Sequence, residues 1–253
     1  MDADRHLALL LTEGERLAAM PADALDAPVP TVEGWTLERV VRHTGKVHQW
    51  VTATVGAGPD ADLAAVAADL PGIPRGPESL PAYREALHQV HAALAECPPD
   101  APVATFVGSG TVGFWCRRQA HEVAVHRVDA ADAVHAAGGP EPEPLASDGA
   151  VDGIDEWITV FLATRWNQRF GAFPDELASR SVHVHSTDAP GEWTLGFGDD
   201  GLEVRTEHTK ADVALRGSAE ALLLALWRRR SLSTIEVLGD HAVAERLLDV
   251  ARF

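Results

Sequence analysis

The stretch Phe114–Ala137, FWCRRQAHEVAVHRVDAADAVHAA, decides how the rest of the chain is read. It holds no proline or glycine, is rich in good helix formers, and stops at Gly138-Gly139-Pro140, so it predicts one long helix. Inside it Glu122 and His126 stand four residues apart, which puts both side chains on one face, one turn apart. A carboxylate and an imidazole in that relation make a two-donor clamp for a divalent metal. The plainer alternative is a polar pair on a helix face, contributing about 0.2–0.5 kcal/mol. His121 does not join the clamp. It lies five residues from His126, ~140° around the helix, and His121-Glu122 followed by His126 is not the H-E-x-x-H of zinc proteases.

Such a clamp needs a third donor from another element. His43 and His48 sit on a second predicted helix and are again five apart, so only one of them can face the clamp. Spacing leaves the choice between them open. His6, His88, His91, His135, His183, His185, His208 and His241 read as surface or satisfied core residues. His183 and His185 share one face of a strand and could chelate, but no third donor presents itself near them. Two imidazoles and one carboxylate would leave open positions on the ion, which suits a Lewis acid binding water, a thiolate or a substrate oxygen. Zn²⁺ is the default, with Ni²⁺, Fe²⁺ or Mn²⁺ as alternatives.

Outward from the long helix, residues 3–20 carry leucines at 7, 10, 11 and 17 between charges, an amphipathic pattern. Thr36 opens a helix that runs to about Gly56, and residues 81–97 form another, stopping before Pro98-Pro99. The segment 101–113 holds a short extended piece and a turn. Four helices of about 17–25 residues describe a bundle over 1–140. An acidic, proline-rich linker and a connecting helix (148–166) fill 141–180. From Ser181 the period changes to alternation. SVHVHST, a hairpin around Gly198-Asp199-Asp200-Gly201, and ADVALRG read as strands. A helix capped by Ser218, a strand TIEVLG and a helix capped by Asp240 complete a small α+β domain, 181–253. The expected fold class is thus a two-domain α plus α/β chain, a four-helix bundle followed by a small α+β domain.

A net charge of −17 argues against nucleic acid or an anionic membrane surface as the main partner. Two cysteines, Cys97 and Cys116, are too few for a disulfide framework, and the sequence shows neither a signal peptide nor an apolar run of ~20 residues. The expectation is a cytoplasmic monomer.

Taken together, V-V-R-H-T-G-K-V-H-Q-W (40–50), W-C-R-R-Q-A-H-E-V-A-V-H-R-V-D (115–129), A-D-V-A-L-R-G (211–217), L-W-R-R-R (226–230) and V-L-G-D (237–240) resemble the mycothiol-dependent maleylpyruvate isomerase family. The resemblance spans nearly the whole chain. It implies a DinB-like metal-binding four-helix bundle and a sterol-carrier-like C-terminal domain. It also implies three metal ligands, one histidine on the second helix and a Glu-x-x-x-His on the fourth, which fall on His43, Glu122 and His126. The residue after His43 departs from the family's usual Leu or Val, being Thr44. The implied chemistry is mycothiol, activated as a thiolate on the metal, adding to an electrophilic small molecule for isomerisation, S-transfer or conjugation. An arginine of the C-terminal domain would hold an anionic substrate, and in the run Arg228-Arg229-Arg230 the assignment falls on Arg229. Arg118 and Asp129, one turn from Glu122 and just under one turn from His126, are placed to orient those two side chains. Against this stand a non-catalytic metal-binding sensor or partner-binding bundle, a metal-dependent hydrolase, and a structural bundle with a chance Glu/His pair.

Overall fold

The computed structural model describes every residue except 165, 167–172, 199–200 and 253. The chain forms two compact units, Met1–Glu143 and Pro144–Phe253.

The first unit is built on four long helices: α1 (Ala3–Ala18), α2 (Leu37–Ala57), α4 (Ser79–Ala95) and α5 (Val112–Ala136). A one-and-a-half-turn helix, α3 (Leu63–Ala68), lies in the connection after α2, where no helix is expected from the sequence. The long helices pack in a ring, α1 against α5 and α4, α2 against α4 and α5. Polar side chains start the first two, Thr36 where the sequence places it. Asp2 accepts from the Arg5 amide and Thr36 from the Arg39 amide, each meeting one of the first-turn N–H groups that have no partner within the helix. Between α4 and α5 the chain makes a two-stranded hairpin, β1 (Pro102–Thr105) with β2 (Gly108–Thr111), the extended piece and turn expected there.

Close approach explains two glycines. A Cβ on Gly14 would lie 2.5 Å from Leu87 of α4, and one on Gly45 would lie 2.7 Å from Ile73. Both sites let a bulky side chain press onto a helix backbone. α5 is buried on almost every side, and its charged residues therefore carry internal partners. Arg127 donates to Glu13 of α1 at 2.6 Å and to the Glu143 carbonyl at 2.6 Å. Glu13 also accepts from Arg16 at 2.7 Å.

The second unit begins with α6 (Ser147–Glu156), which continues as a π-helical stretch, Trp157–Ala163. The helix expected over 148–166 is therefore seen as α-helix only in its first half. Its residue 165 lies outside the described residues. Five strands follow: β3 (Ser181–Ser186), β4 (Glu192–Gly198), β5 (Gly201–Arg205), β6 (Val213–Gly217) and β7 (Glu236–Gly239). They form one sheet in the order β5-β4-β3-β6-β7, with β3 and β6 parallel and the other pairs antiparallel. Positions 199–200 of the β4–β5 turn also lie outside the described residues. Helix α7 (Ala219–Leu226) is capped by Ser218, accepting from the Ala221 amide, and α8 (His241–Val250) by Asp240, accepting from Ala242.

One face of the sheet supplies the core. Val182, Val184, Trp193, Leu195 and Phe197 are buried, and the register sets Val182 beside Leu195 and Val184 beside Trp193. The opposite face carries His183, His185, Glu192 and Thr194, as the two-residue side-chain period of a strand requires. The two-unit arrangement, helical then mixed α and β, agrees with the expected fold class.

Candidate metal centre in the bundle

The buried stripe of α2 runs Val40, Val41, Thr44, Gly45, His48, Val51 and Thr54. His48 lies in its middle and is fully enclosed. Its Nδ1 meets Gln119 Oε1 at 2.7 Å, and its ring sits 5.5 Å from that of Tyr83. His43 lies at the margin of the same stripe, with 39% of its side chain exposed. Helix position separates the two: His48 points into the bundle, and His43 looks along its rim toward α5.

There it meets the clamp. His43 Nε2 is 3.2 Å and His126 Nε2 3.3 Å from the same oxygen, Glu122 Oε1. His43, Glu122 and His126 each offer one donor atom, and the three atoms lie within 4.8 Å of one another. The structure thus brings the three predicted ligands together and keeps His48 apart. His121 points elsewhere, its ring edge-on to that of His6 at 5.8 Å.

A further layer of partners sets the direction of each donor. Arg118 Nη2 donates to Glu122 Oε2 at 3.0 Å, which leaves Oε1 for the histidines. Asp129 Oδ2 lies 2.9 Å from His126 Nδ1 and is itself fully enclosed. This fixes the tautomer and turns Nε2 to the cluster, the usual arrangement behind a metal-bound imidazole.

Electrostatics agree with that geometry. Burial pushes the His126 imidazole down, but Glu122 and Asp129 outweigh it and raise the pKa to about 9. Burial likewise pushes the Glu122 carboxyl up, and His126, His43 and Arg118 bring it well below the usual carboxylate range. His48 is held the other way. Burial dominates the Gln119 hydrogen bond and lowers its pKa to about 4, so this imidazole is neutral at ordinary pH. The Cys116 thiol is raised to about 11, chiefly by burial, which removes it as a nucleophile.

Trp35 completes the site and was not singled out from the sequence. Its indole stacks on His126 (5.7 Å, 10°) and meets His43 edge-on (5.1 Å, 64°), with the Arg39 guanidinium 4.9 Å over its ring. The segment is pinned by the Pro28↔Thr36 bridge and by the Val29 amide donating to the Trp35 carbonyl. The only signal was a lone tryptophan directly before a helix cap. Arg229, assigned to an anionic substrate, lies in the turn after α7 and donates through Nη1 to the Trp227 carbonyl at 2.9 Å.

Two family models match the chain. Residues 7–131 match the mycothiol maleylpyruvate isomerase N-terminal domain, and residues 148–246 match the model described as the MDMPI C-terminal domain. Among solved structures, that of the mycothiol-dependent maleylpyruvate isomerase is similar at TM-score 0.58 and 12% identity, over 94% of this chain and 93% of that one. A histidine-to-alanine variant of the same isomerase gives the same values. At that identity the likeness speaks for the fold. No curated protein matches the sequence.

Proposed function

The chain belongs to the mycothiol maleylpyruvate isomerase family, and from that premise we propose that it is a metal-dependent enzyme using mycothiol to isomerise an electrophilic, unsaturated small acid. The observation that carries the metal is the convergence of His43, Glu122 and His126, with Asp129 and Arg118 already orienting two of the three donors. The donor set fits a divalent first-row ion, zinc by default, and leaves coordination positions open. When bound, such an ion lowers the pKa of a ligating thiol so that sulfur is nucleophilic at neutral pH.

The protein's own residues do the rest. Glu122 supplies the negative charge that offsets the ion, and Arg118 keeps the carboxylate from turning away. Asp129 holds the His126 Nδ1 proton, so it is Nε2 that would give up its proton to an arriving ion and turn a lone pair to it. The Trp35 indole lies against both histidines and offers an apolar wall to a thiol or an alkene. Arg229 is assigned to the substrate carboxylate on the strength of the family resemblance.

The test is turnover. Untagged full-length chain, loaded with zinc, is expected to isomerise maleylpyruvate only when mycothiol is present. Glu122→Ala should lose both ion and activity, and Arg229→Ala should raise KM with a smaller change in kcat. A chain that holds its bundle ion yet shows no thiol-dependent turnover would be the non-catalytic sensor instead.

A further inference from the structure

We propose that the sheet unit carries a second divalent-metal site, formed by His183, His185, Glu192 and His208. The sequence suggests half of it, two histidines on one strand face, and offers no third donor. The structure corrects that expectation by bringing in two more from elsewhere in the chain. Each of the four offers one donor atom, and these atoms lie within 4.8 Å of one another.

The register explains how they meet. β3 places His183 and His185 on the face away from the core, and antiparallel pairing sets Glu192 of β4 directly beside His185 and Thr194 beside His183. His208 comes from the connection between β5 and β6, and Thr194 holds the chain on either side of it. The Thr194 hydroxyl donates to the Glu207 carbonyl at 3.1 Å and lies 2.9 Å from the Thr209 hydroxyl. The residues before and after His208 are thus tied to the strand that bears Glu192.

Three ring nitrogens then converge on one atom. His183 Nε2 and His185 Nδ1 each lie 2.9 Å from Glu192 Oε1, and His208 Nδ1 contacts the same oxygen. One carboxylate oxygen has two lone pairs, so three imidazole N–H donors overfill it. The same three rings satisfy a cation by turning lone pairs to it, with the carboxylate as fourth donor. Their planes stand at 89°, 89° and 90° to one another, so the nitrogens approach from separate directions. Seating an ion with bonds of about 2.0–2.2 Å needs only that the rings close in slightly and the carboxylate draw back. Arg216, beside His185 on β6, does not compete, because Glu236 holds it at 3.0 Å.

Imidazole-rich sites of this kind take zinc, copper or nickel in preference to magnesium or calcium. With four protein donors the site is closed and structural, a clip that fastens the β5–β6 connection to β3 and β4. It does not depend on the bundle site or on its chemistry.

The experiment uses untagged full-length Glu122→Ala, which disables the bundle cluster. After loading with zinc and gel filtration in a citrate buffer, it is expected to keep about one ion per chain. The added change His208→Ala should remove that ion. His208 has a side chain 74% exposed, so the change leaves the fold intact. On cobalt loading, Glu122→Ala alone should show the intense visible absorption of a four-coordinate ion, and Glu192→Gln should weaken it. Retention of no ion by Glu122→Ala, or equal retention with and without His208, would overturn the proposal.

Discussion

The bundle and the sheet each gather histidines around one carboxylate oxygen, and they do it in opposite surroundings. In the bundle, Glu122 and His126 come from one helix and are backed by groups that water does not reach, Asp129 fully enclosed and Arg118 almost so. In the sheet, donors from two strands and a connection lie on the face away from the core, with His183 buried, Glu192 partly exposed and His208 largely so. The first lies against an indole and has three protein donors among the described residues. The second has four donors and an open flank. The difference teaches that donor count and the layer behind the donors, more than donor type, are what would separate a reactive metal site, as proposed for the bundle, from a structural one.

The contrast can be broken by stability measurements first, because there the expected effect is largest. Glu13→Ala leaves Arg127 buried without its carboxylate beside the bundle site, and is expected to lower unfolding stability by about 3–5 kcal/mol in urea titrations. Glu192→Ala, measured without metal, should cost less, about 1 kcal/mol, since Glu192 and His185 are partly exposed and His208 largely so, and only His183 is buried. Equal costs would mean that the Glu192 cluster is as deeply built as the buried Arg127–Glu13 pair of the bundle.

Activity comes next. Glu122→Ala should reduce thiol-dependent kcat/KM by at least about a hundredfold, whereas His208→Ala should leave it unchanged. Loss in both would tie the sheet site to catalysis and end the division of roles. A finer probe is Asp129→Asn, which keeps the shape and removes the charge behind His126. It is expected to weaken zinc binding to the bundle by about 10–100-fold in competition with a chelator, without touching the ion on the sheet.

A further effect is a pH dependence. His48 has its folded pKa lowered to about 4 by burial, against about 6.5 in an unfolded chain. As pH falls from 6.5 toward 4 the unfolded chain takes up this proton and the folded chain does not, so stability declines through that window and is unaffected above it. By pH 6 the loss is under about 1 kcal/mol. His48→Gln should flatten the decline in urea midpoints measured between pH 7 and pH 5. An unchanged slope would show that the enclosed histidine does not titrate as its burial requires.

Both clusters were legible to the extent that local spacing carries them. Glu122 and His126 are visible because four residues on a helix equal one turn, and His183 with His185 because two residues on a strand share a face. The choice of His43 over His48 was not available from spacing, since it depends on how far α2 is rotated against α5. Trp35 could not be placed, because a proline- and glycine-punctuated connection has no periodicity to read. Glu192 and His208 were out of reach for a related reason. Their proximity depends on strand register and on a loop path, which are long-range properties.

By itself the sequence determined most elements of this protein: the long helix, read at 114–137 and found at 112–136, the long helices before it, the change to alternating strands near Ser181, and the caps at Thr36, Ser218 and Asp240. Those features follow from local propensity, periodicity and capping chemistry, which act within a few residues of chain. Only the tertiary structure decided which side chains meet. Helix rotation put His43 on the rim and His48 inside, and strand register with a returning loop set three imidazoles around Glu192, because contacts between distant segments depend on how whole elements pack.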